Sequence, residues 1–236
     1  MPYSAYNLAM HILLIIIFIL FVIFLPQWWA KRVFKRYSPE LDHIQGTGGE
    51  LAIHLLERFK MDSVSVEMTE EGNDHYDPET RTVRLSPNNY NDRSLTAVAV
   101  ATHEVGHAIQ HHRNETKLAL RSRLVKTSIK LEKVGSVIMM IMPIVLIVTR
   151  SPLAGVIFFA TGLLTIAGSS LIHLVTLPVE WDASFGKALP ILKEGYIREQ
   201  DYDAVNTILK AAAFTYIAAS LTSLLSIWRW IALLRR

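Results

Sequence analysis

Four apolar runs constrain this chain more than any other feature. Leu8 to Leu25 is broken only by His11 and is long enough to cross a bilayer. Gly135 to Thr149 is shorter and needs part of Leu131–Val134 to span. Leu153 to Leu177 is a second long run, and Ala211 to Trp228 is the fourth. In a chain of 236 residues that is 51% hydrophobic with a mean hydropathy of +0.28, these runs point to several membrane spans.

The flanks of the runs set their arrangement. Trp28 and Trp29 follow the first run, then Lys31, Arg32, Lys35 and Arg36, an aromatic and cationic border of the cytoplasmic kind. A cleaved signal peptide would carry positive charge before the apolar run. Residues 1–10 hold no Lys or Arg, so the run reads as an uncleaved anchor. Arg150-Ser-Pro152 is a tight turn that joins the second and third runs into a hairpin, with Gly155, Gly162 and Gly168 as candidate helix contacts. Sixteen Lys and Arg lie between the first two runs and four between the last two, against Arg150, Arg235 and Arg236 on the other side. The positive-inside rule then places the polar domain in the cytoplasm and the N-terminus outside. The terminal Arg pair leaves a buried or interfacial helix as the alternative for the last run. The net charge of +3 is modest, and the basic residues sit beside apolar segments. That fits the flanks of a lipid bilayer and speaks against nucleic acid.

Ser38 to about Lys130 is polar. Thr47-Gly-Gly-Glu50 reads as a capping box opening an amphipathic helix to about Lys60. A phosphate-binding loop would need a Lys-Ser/Thr that is absent. Ser63–Met68 and Arg81–Ser86 alternate as two short strands, separated by an acidic loop with Gly72, Asn73 and Asp77-Pro78 as turn residues. Asn88–Asp92 is a polar lead into the next helix.

That helix carries the chemistry. Ser94 can cap it, and Leu95 to Ala101 follow without a proline. It holds His103-Glu104-Val-Gly-His107, an H-E-x-x-H. The two histidines share one helix face a turn apart, so both can ligate one metal, and Glu104 falls beside the ion as a general base for water. Gly106 between them allows close backbone approach. The chain has no cysteine, so the remaining ligand must be His, Asp or Glu. His111 is a further turn along, beyond an ion held by the first two, and reads with His112 as a surface or supporting residue. The hairpin returns the chain to the side it left, bringing Pro178-Val-Glu180-Trp-Asp182-Ala-Ser184 next to the metal helix. Glu180, expected to begin a helix after Pro178, is the choice for third ligand, and His173 is the runner-up. Ala183 is small enough for close packing, and Asp182 and Ser184 are candidates to orient the histidines. One catalytic Zn²⁺ with an open position implies hydrolysis of a peptide bond by an activated water. Tyr76, His75 and His173 are candidates to stabilise the oxyanion. A protein or peptide substrate can add as a strand along Thr82, Val83, Arg84 and Leu85 if that strand is an exposed edge.

Asp74–Pro78, Val83–Ser86, Val100–Gln110 and Pro178–Ser184, in this order and with the apolar runs, resemble the YugP-type family, bacterial membrane proteins classed as neutral zinc metallopeptidases. The chain is more distantly similar to HtpX-type membrane proteases, which share H-E-x-x-H and a downstream E-x-x-A. The resemblance implies a gluzincin-like site of His103, His107 and Glu180 with Glu104 as base, in a multi-pass protein of the bacterial inner membrane. One departure is that the acidic residue expected four after the glutamate is Ser184 here, with Asp182 shifted.

The expected fold is a mainly α membrane protein, with about four transmembrane helices and a small α+β gluzincin-like domain with a short sheet. Its parts are an anchor (1–30), the zinc peptidase domain (31–133), the hairpin (134–177), the third-ligand helix and linker (178–210) and a last transmembrane helix (211–236). Two other readings compete. A site-2-type intramembrane protease would bury H-E-x-x-H in a span and supply an Asp-Gly that this chain lacks. A zinc-stabilised scaffold would have no need of Glu104. No feature of the sequence fixes an oligomeric state.

Overall fold

The apolar runs and the polar domain are joined through continuous helices. The computed structural model describes residues 24–214 together with Met10, Leu14 and Phe21. Within the helix that carries the third run it does not describe the side chains at 152, 163, 166–167 and 169–175. The first run and the fourth beyond residue 214 therefore lie largely outside the described residues.

Helix α1 (24–36) leads from the first run into the domain, burying Ala30 and Val33. Helix α2 (Gly48–Arg58) starts at the expected capping box. Thr47 Oγ1 accepts from the amide of Glu50, and the Thr47 amide donates to Glu50 Oε2 at 2.8 Å. The glycines of this box serve packing, because a Cβ at Gly48 would stand 2.1 Å from the carbonyl oxygen of Asn89. That explains a glycine pair with no phosphate chemistry attached.

Three strands follow where two were expected: β1 (Ser65–Met68), β2 (His75–Asp77) and β3 (Thr82–Leu85). The sheet order is β1-β3-β2, with β1 parallel and β2 antiparallel to β3. The extra strand comes from the acidic loop. Tyr76, opposite Val83, is its one buried residue, and a single apolar position in three gives no alternation to read. Val83 and Leu85 face inward as expected, both fully buried. Arg84 ties the sheet across both neighbours, with Asp77 at 3.1 Å and Glu67 at 3.4 Å.

Helix α3 (Pro87–Asn91) leads into α4 (Leu95–His112). Ser94 caps α4 by accepting from the amide of Ala97 at 3.1 Å. Every residue of α4 from Leu95 to Gln110 is buried, because α2, α3, the sheet and the segment after residue 181 pack around it. A helix buried on every side belongs at the centre of a domain.

Helix α5 (Thr116–Thr149) runs without a break from the basic stretch through the second apolar run, across the boundary expected after Lys133. At 34 residues it is about 51 Å long. Among the described residues it is the one helix long and apolar enough to cross a membrane. Arg150 takes a left-handed conformation (φ 51°), and Ser151 caps α6 (Pro152–Trp181), so the two helices form the expected hairpin. Gly155 and Gly162 sit at its seam, against Leu146 and Met139. Gly168 meets nothing within 4 Å.

The expected polar linker has a different role. A π-helical segment (Asp182–Ala188) and the short α7 (Leu189–Lys193) continue α6 directly. A 3-10 turn at Glu199–Asp201 opens α8 (202–214). Ile191, Leu192, Ile197, Val205, Ile208 and Leu209 are buried in the same core as α2 and α4. The charged residues of this stretch had hidden that apolar face.

Candidate metal centre

His103 and His107 lie one turn apart on α4, with ring centroids 4.9 Å apart. Glu180 comes from the last turn of α6. Its Oε2 is 3.1 Å from His107 Nε2 and 3.6 Å from His103 Nε2. One ligand atom from each of the three lies within 4.8 Å of the others, and the side chains are 3%, 1% and 0% exposed.

The partners on the other ring nitrogens decide what this group can hold. Ser184 Oγ donates to the carbonyl of Leu209 at 3.2 Å, so it accepts from His103 Nδ1 at 3.0 Å. Gln110 Nε2 donates to the carbonyl of Val179 and to Asp182 Oδ2, at 3.1 and 2.8 Å. Its Oε1 therefore faces His107 Nδ1, which donates to it at 2.9 Å. With Nδ1 donating, each imidazole turns Nε2 toward Glu180, the atom through which a neutral histidine ligates a metal. Two such nitrogens and a carboxylate oxygen, all buried, are a donor set that zinc fits. Asp182 touches neither histidine. It holds Gln110 and is itself held by Lys187 at 2.9 Å.

Local folding brings these atoms together. The expectation that Glu180 opens a helix is corrected: α6 continues past Pro178, whose carbonyl accepts from the amide of Asp182. Glu180 therefore sits inside a continuous helical run to Lys193, away from any helix N-terminus whose dipole would favour a carboxylate. Burial also pushes its pKa up. His107, Arg121 and its contacts with both imidazoles outweigh burial and hold it well below the usual carboxylate range. In the π segment, Leu189 bonds back to Ser184. π-bulges often mark functional sites, and this one follows directly on Glu180 and includes Ser184. Ala183 lies over Gly106, where a Cβ would come within 2.9 Å of the Ala183 carbonyl oxygen. Glycine between the two histidines is thus required for the third ligand to approach.

Glu104 and His103 both line a cleft of about 530 Å³ bounded by the end of α1, residues 71–75, Ser86, Asn88, Asn89 and Ala212. Burial lifts its pKa to about 7. His103 and Arg121 oppose the rise, and Glu180 and Asp74 add to it. Asp74 fixes the cleft wall by accepting from the Ser86 amide at 2.6 Å and from Asn89 at 3.0 Å. His75 lines this cleft, with its Nδ1 donating to the carbonyl of Asn73. Tyr76 does not. Its hydroxyl is hydrogen-bonded to His111 Nδ1 at 2.7 Å in a separate small cleft with Arg81 and Asn114. Burial pushes Tyr76 up to about 12 and lowers His111, so burial disfavours the charged form of both partners. His111 is thus a partner of the sheet, turned away from the metal group. The side chain of His173 lies outside the described residues.

The expectation of a substrate strand along Thr82–Leu85 is also corrected. That strand, β3, is central, with both of its edges paired, so no peptide can add to it. A larger cleft of about 700 Å³ opens beside Val98 on another face of α4 and reaches none of these residues. Its polar walls are paired, His43 with Asp201, His54 with Tyr196 and Arg58 with Glu194.

Sequence reasoning missed Gln110 and Arg121. For Gln110 a signal existed: a side-chain amide three residues after a ligating histidine is within reach on the same helix face. Replacing Gln110 by Leu frees His107 Nδ1 and is expected to weaken zinc binding about 10–100-fold with little change in fold. Equilibrium competition against a chelating dye measures it, and an unchanged affinity would remove Gln110 from the site.

A buried His-His-Glu group on and beside an H-E-x-x-H helix, with the motif glutamate lining a cleft, is a group that could hold one metal ion. The comparisons agree. The chain belongs to the family described as "Putative neutral zinc metallopeptidase", which matches residues 12–235. It is 34% identical over 209 residues to the "Putative membrane protease YugP" of Bacillus subtilis (strain 168), covering 88% of this chain and 89% of that protein. No solved structure matches it.

Proposed function

We propose that this protein is a membrane-anchored zinc metallopeptidase of gluzincin type, with His103, His107 and Glu180 as metal ligands and Glu104 as general base. The observation that carries the reading is the pair of hydrogen bonds on Nδ1 that turn both Nε2 atoms onto Glu180 while Glu104 lines the cleft. Zinc held there would supply a Lewis acid for water and for the substrate carbonyl.

The chain's own residues do the rest. Ser184 and Gln110 hold the two imidazoles in the ligating tautomer. Glu104 takes a proton from water in the cleft and passes it to the leaving amine. Its raised pKa suits a group that must both take and give a proton near neutrality. His75 lines the cleft and would stabilise the developing oxyanion through Nε2 when both ring nitrogens carry a proton, since Nδ1 donates to Asn73. The peptide enters along this cleft.

The anchor consists of the α5–α6 hairpin together with the first and fourth apolar runs, four spans in all. The domain lies on the cytoplasmic side, as the Lys and Arg distribution indicates. The intramembrane alternative is disfavoured because α4 is enclosed by a sheet and helices of the polar domain.

The test is metal removal. Detergent-solubilised full chain is expected to hold one zinc and to cleave an unstructured protein such as casein. Stripping with 1,10-phenanthroline abolishes cleavage, and about one equivalent of zinc restores it. One tightly held zinc with no hydrolysis of casein or of a peptide library would favour the scaffold reading instead.

A further inference from the structure

The second oxygen of Glu180 is also occupied. Arg121, in the second turn of α5, brings its Nε to 2.7 Å from Glu180 Oε1. The Arg121 side chain is 11% exposed, Glu180 is fully buried, and both contacting atoms are shielded from solvent. The approach is not that of a hydrogen bond, so the contact is an ion pair at close range.

We propose that Arg121 is a positioning residue that holds Glu180 Oε1 away from the metal, so that the carboxylate offers only Oε2. This rests on the metal site proposed above. A carboxylate free to rotate can grip an ion through both oxygens. That would fill a position which a catalytic zinc keeps open. With Oε1 held by a cation, the ligand set is limited to two nitrogens and one oxygen. The same positive charge offsets the desolvation of Glu180, which no other Lys or Arg contacts among the described residues.

The position of Arg121 gives the contact a second consequence. It stands on the helix that becomes the first arm of the hairpin, whereas Glu180 stands at the end of the second arm. The ion pair therefore fixes the root of the hairpin to the metal centre. Sliding one arm against the other would move Oε1, and the geometry of the third ligand with it.

Cobalt(II) reports this directly, because its visible absorption bands weaken as coordination rises from four to five. The comparison uses full-chain protein in detergent as wild type, Arg121→Gln, Arg121→Lys and the exposed control Arg123→Gln. Zinc affinity is measured by chelator competition, and secondary structure by circular dichroism. Arg121→Gln is expected to bind zinc about 10–100-fold more weakly and to give weaker cobalt bands. Arg121→Lys keeps the charge on a single-centred ammonium and is expected to lose several-fold. Arg123→Gln matches wild type. A folded Arg121→Gln with wild-type zinc affinity and cobalt bands overturns the proposal. If that variant does not fold, Arg121→Lys decides: wild-type affinity and bands overturn the proposal, and a loss in both supports it. A wild type that binds neither zinc nor cobalt overturns the metal site itself, which is a separate result.

Discussion

Replacing Glu104 by Gln is expected to leave one zinc per chain and to lower peptide hydrolysis by about 10²–10⁴-fold, the range that a positioned general base supplies. The separation follows from geometry. Glu104 belongs to the cleft, and no contact ties its carboxylate to the Nε2 atoms or to Glu180. Glutamine has nearly the same volume, so the packing beneath the cleft survives. It removes a carboxyl whose pKa burial raises to about 7, and a raised carboxyl pKa opposes folding near neutrality, so the metal-free fold is expected not to weaken by the change. What is lost is the group able to take the proton. Zinc content by elemental analysis and casein hydrolysis, measured on one preparation, give the two halves. A variant that still cleaves within a few-fold of wild type would remove Glu104 from the reaction. A variant that loses its zinc would place Glu104 in the structure of the site.

Much of the centre was legible because it rests on local spacing. A helix places residues i and i+4 on one face whatever surrounds it, so His103 and His107 could be paired from sequence, as could the caps at Thr47 and Ser94. Gly106 and Ala183, each small, pointed to a close crossing, and the structure brings their backbones together. Glu180 was reachable through topology, since a hairpin returns the chain to its starting side. Its surroundings were not. Pro178 reads as the start of a helix, yet the helix passes through it, because proline removes one donor without stopping a helix that packing supports on both sides.

Other features were hidden because they join distant parts of the chain. Arg121 reads as one cation among several at a membrane flank. Its role depends on a carboxylate 59 residues away on the opposite arm of the hairpin. The order of the sheet was hidden for a related reason. Alternation identifies a strand and its inward face, but nothing in Thr82–Leu85 shows that β1 would pair on one side and a three-residue strand on the other. The core residues after Lys187 are spaced among charges, and only packing against α2 and α4 shows which of them face inward.

Glu180→Ala is expected to have the opposite signature from Glu104→Gln, with both zinc and activity lost and the metal-free fold weakened. Two effects combine. The three-donor group falls to two imidazoles, and no other His, Asp or Glu among the described residues completes it. The second effect is electrostatic. Arg121 and both imidazoles are arranged about a buried negative charge, and removing that charge takes the Glu180 carboxylate from a largely buried guanidinium. Breaking a buried pair from one side costs about 3–5 kcal/mol, and the small cavity left by the side chain adds to it. Chemical denaturation of the metal-free protein measures this cost, and elemental analysis measures the zinc. Glu180→Gln separates the effects: it keeps the volume, removes the charge, and is expected to restore packing without restoring tight zinc binding. If Glu180→Ala bound zinc as tightly as wild type, the third ligand would lie elsewhere, and His173 would be the next residue to replace.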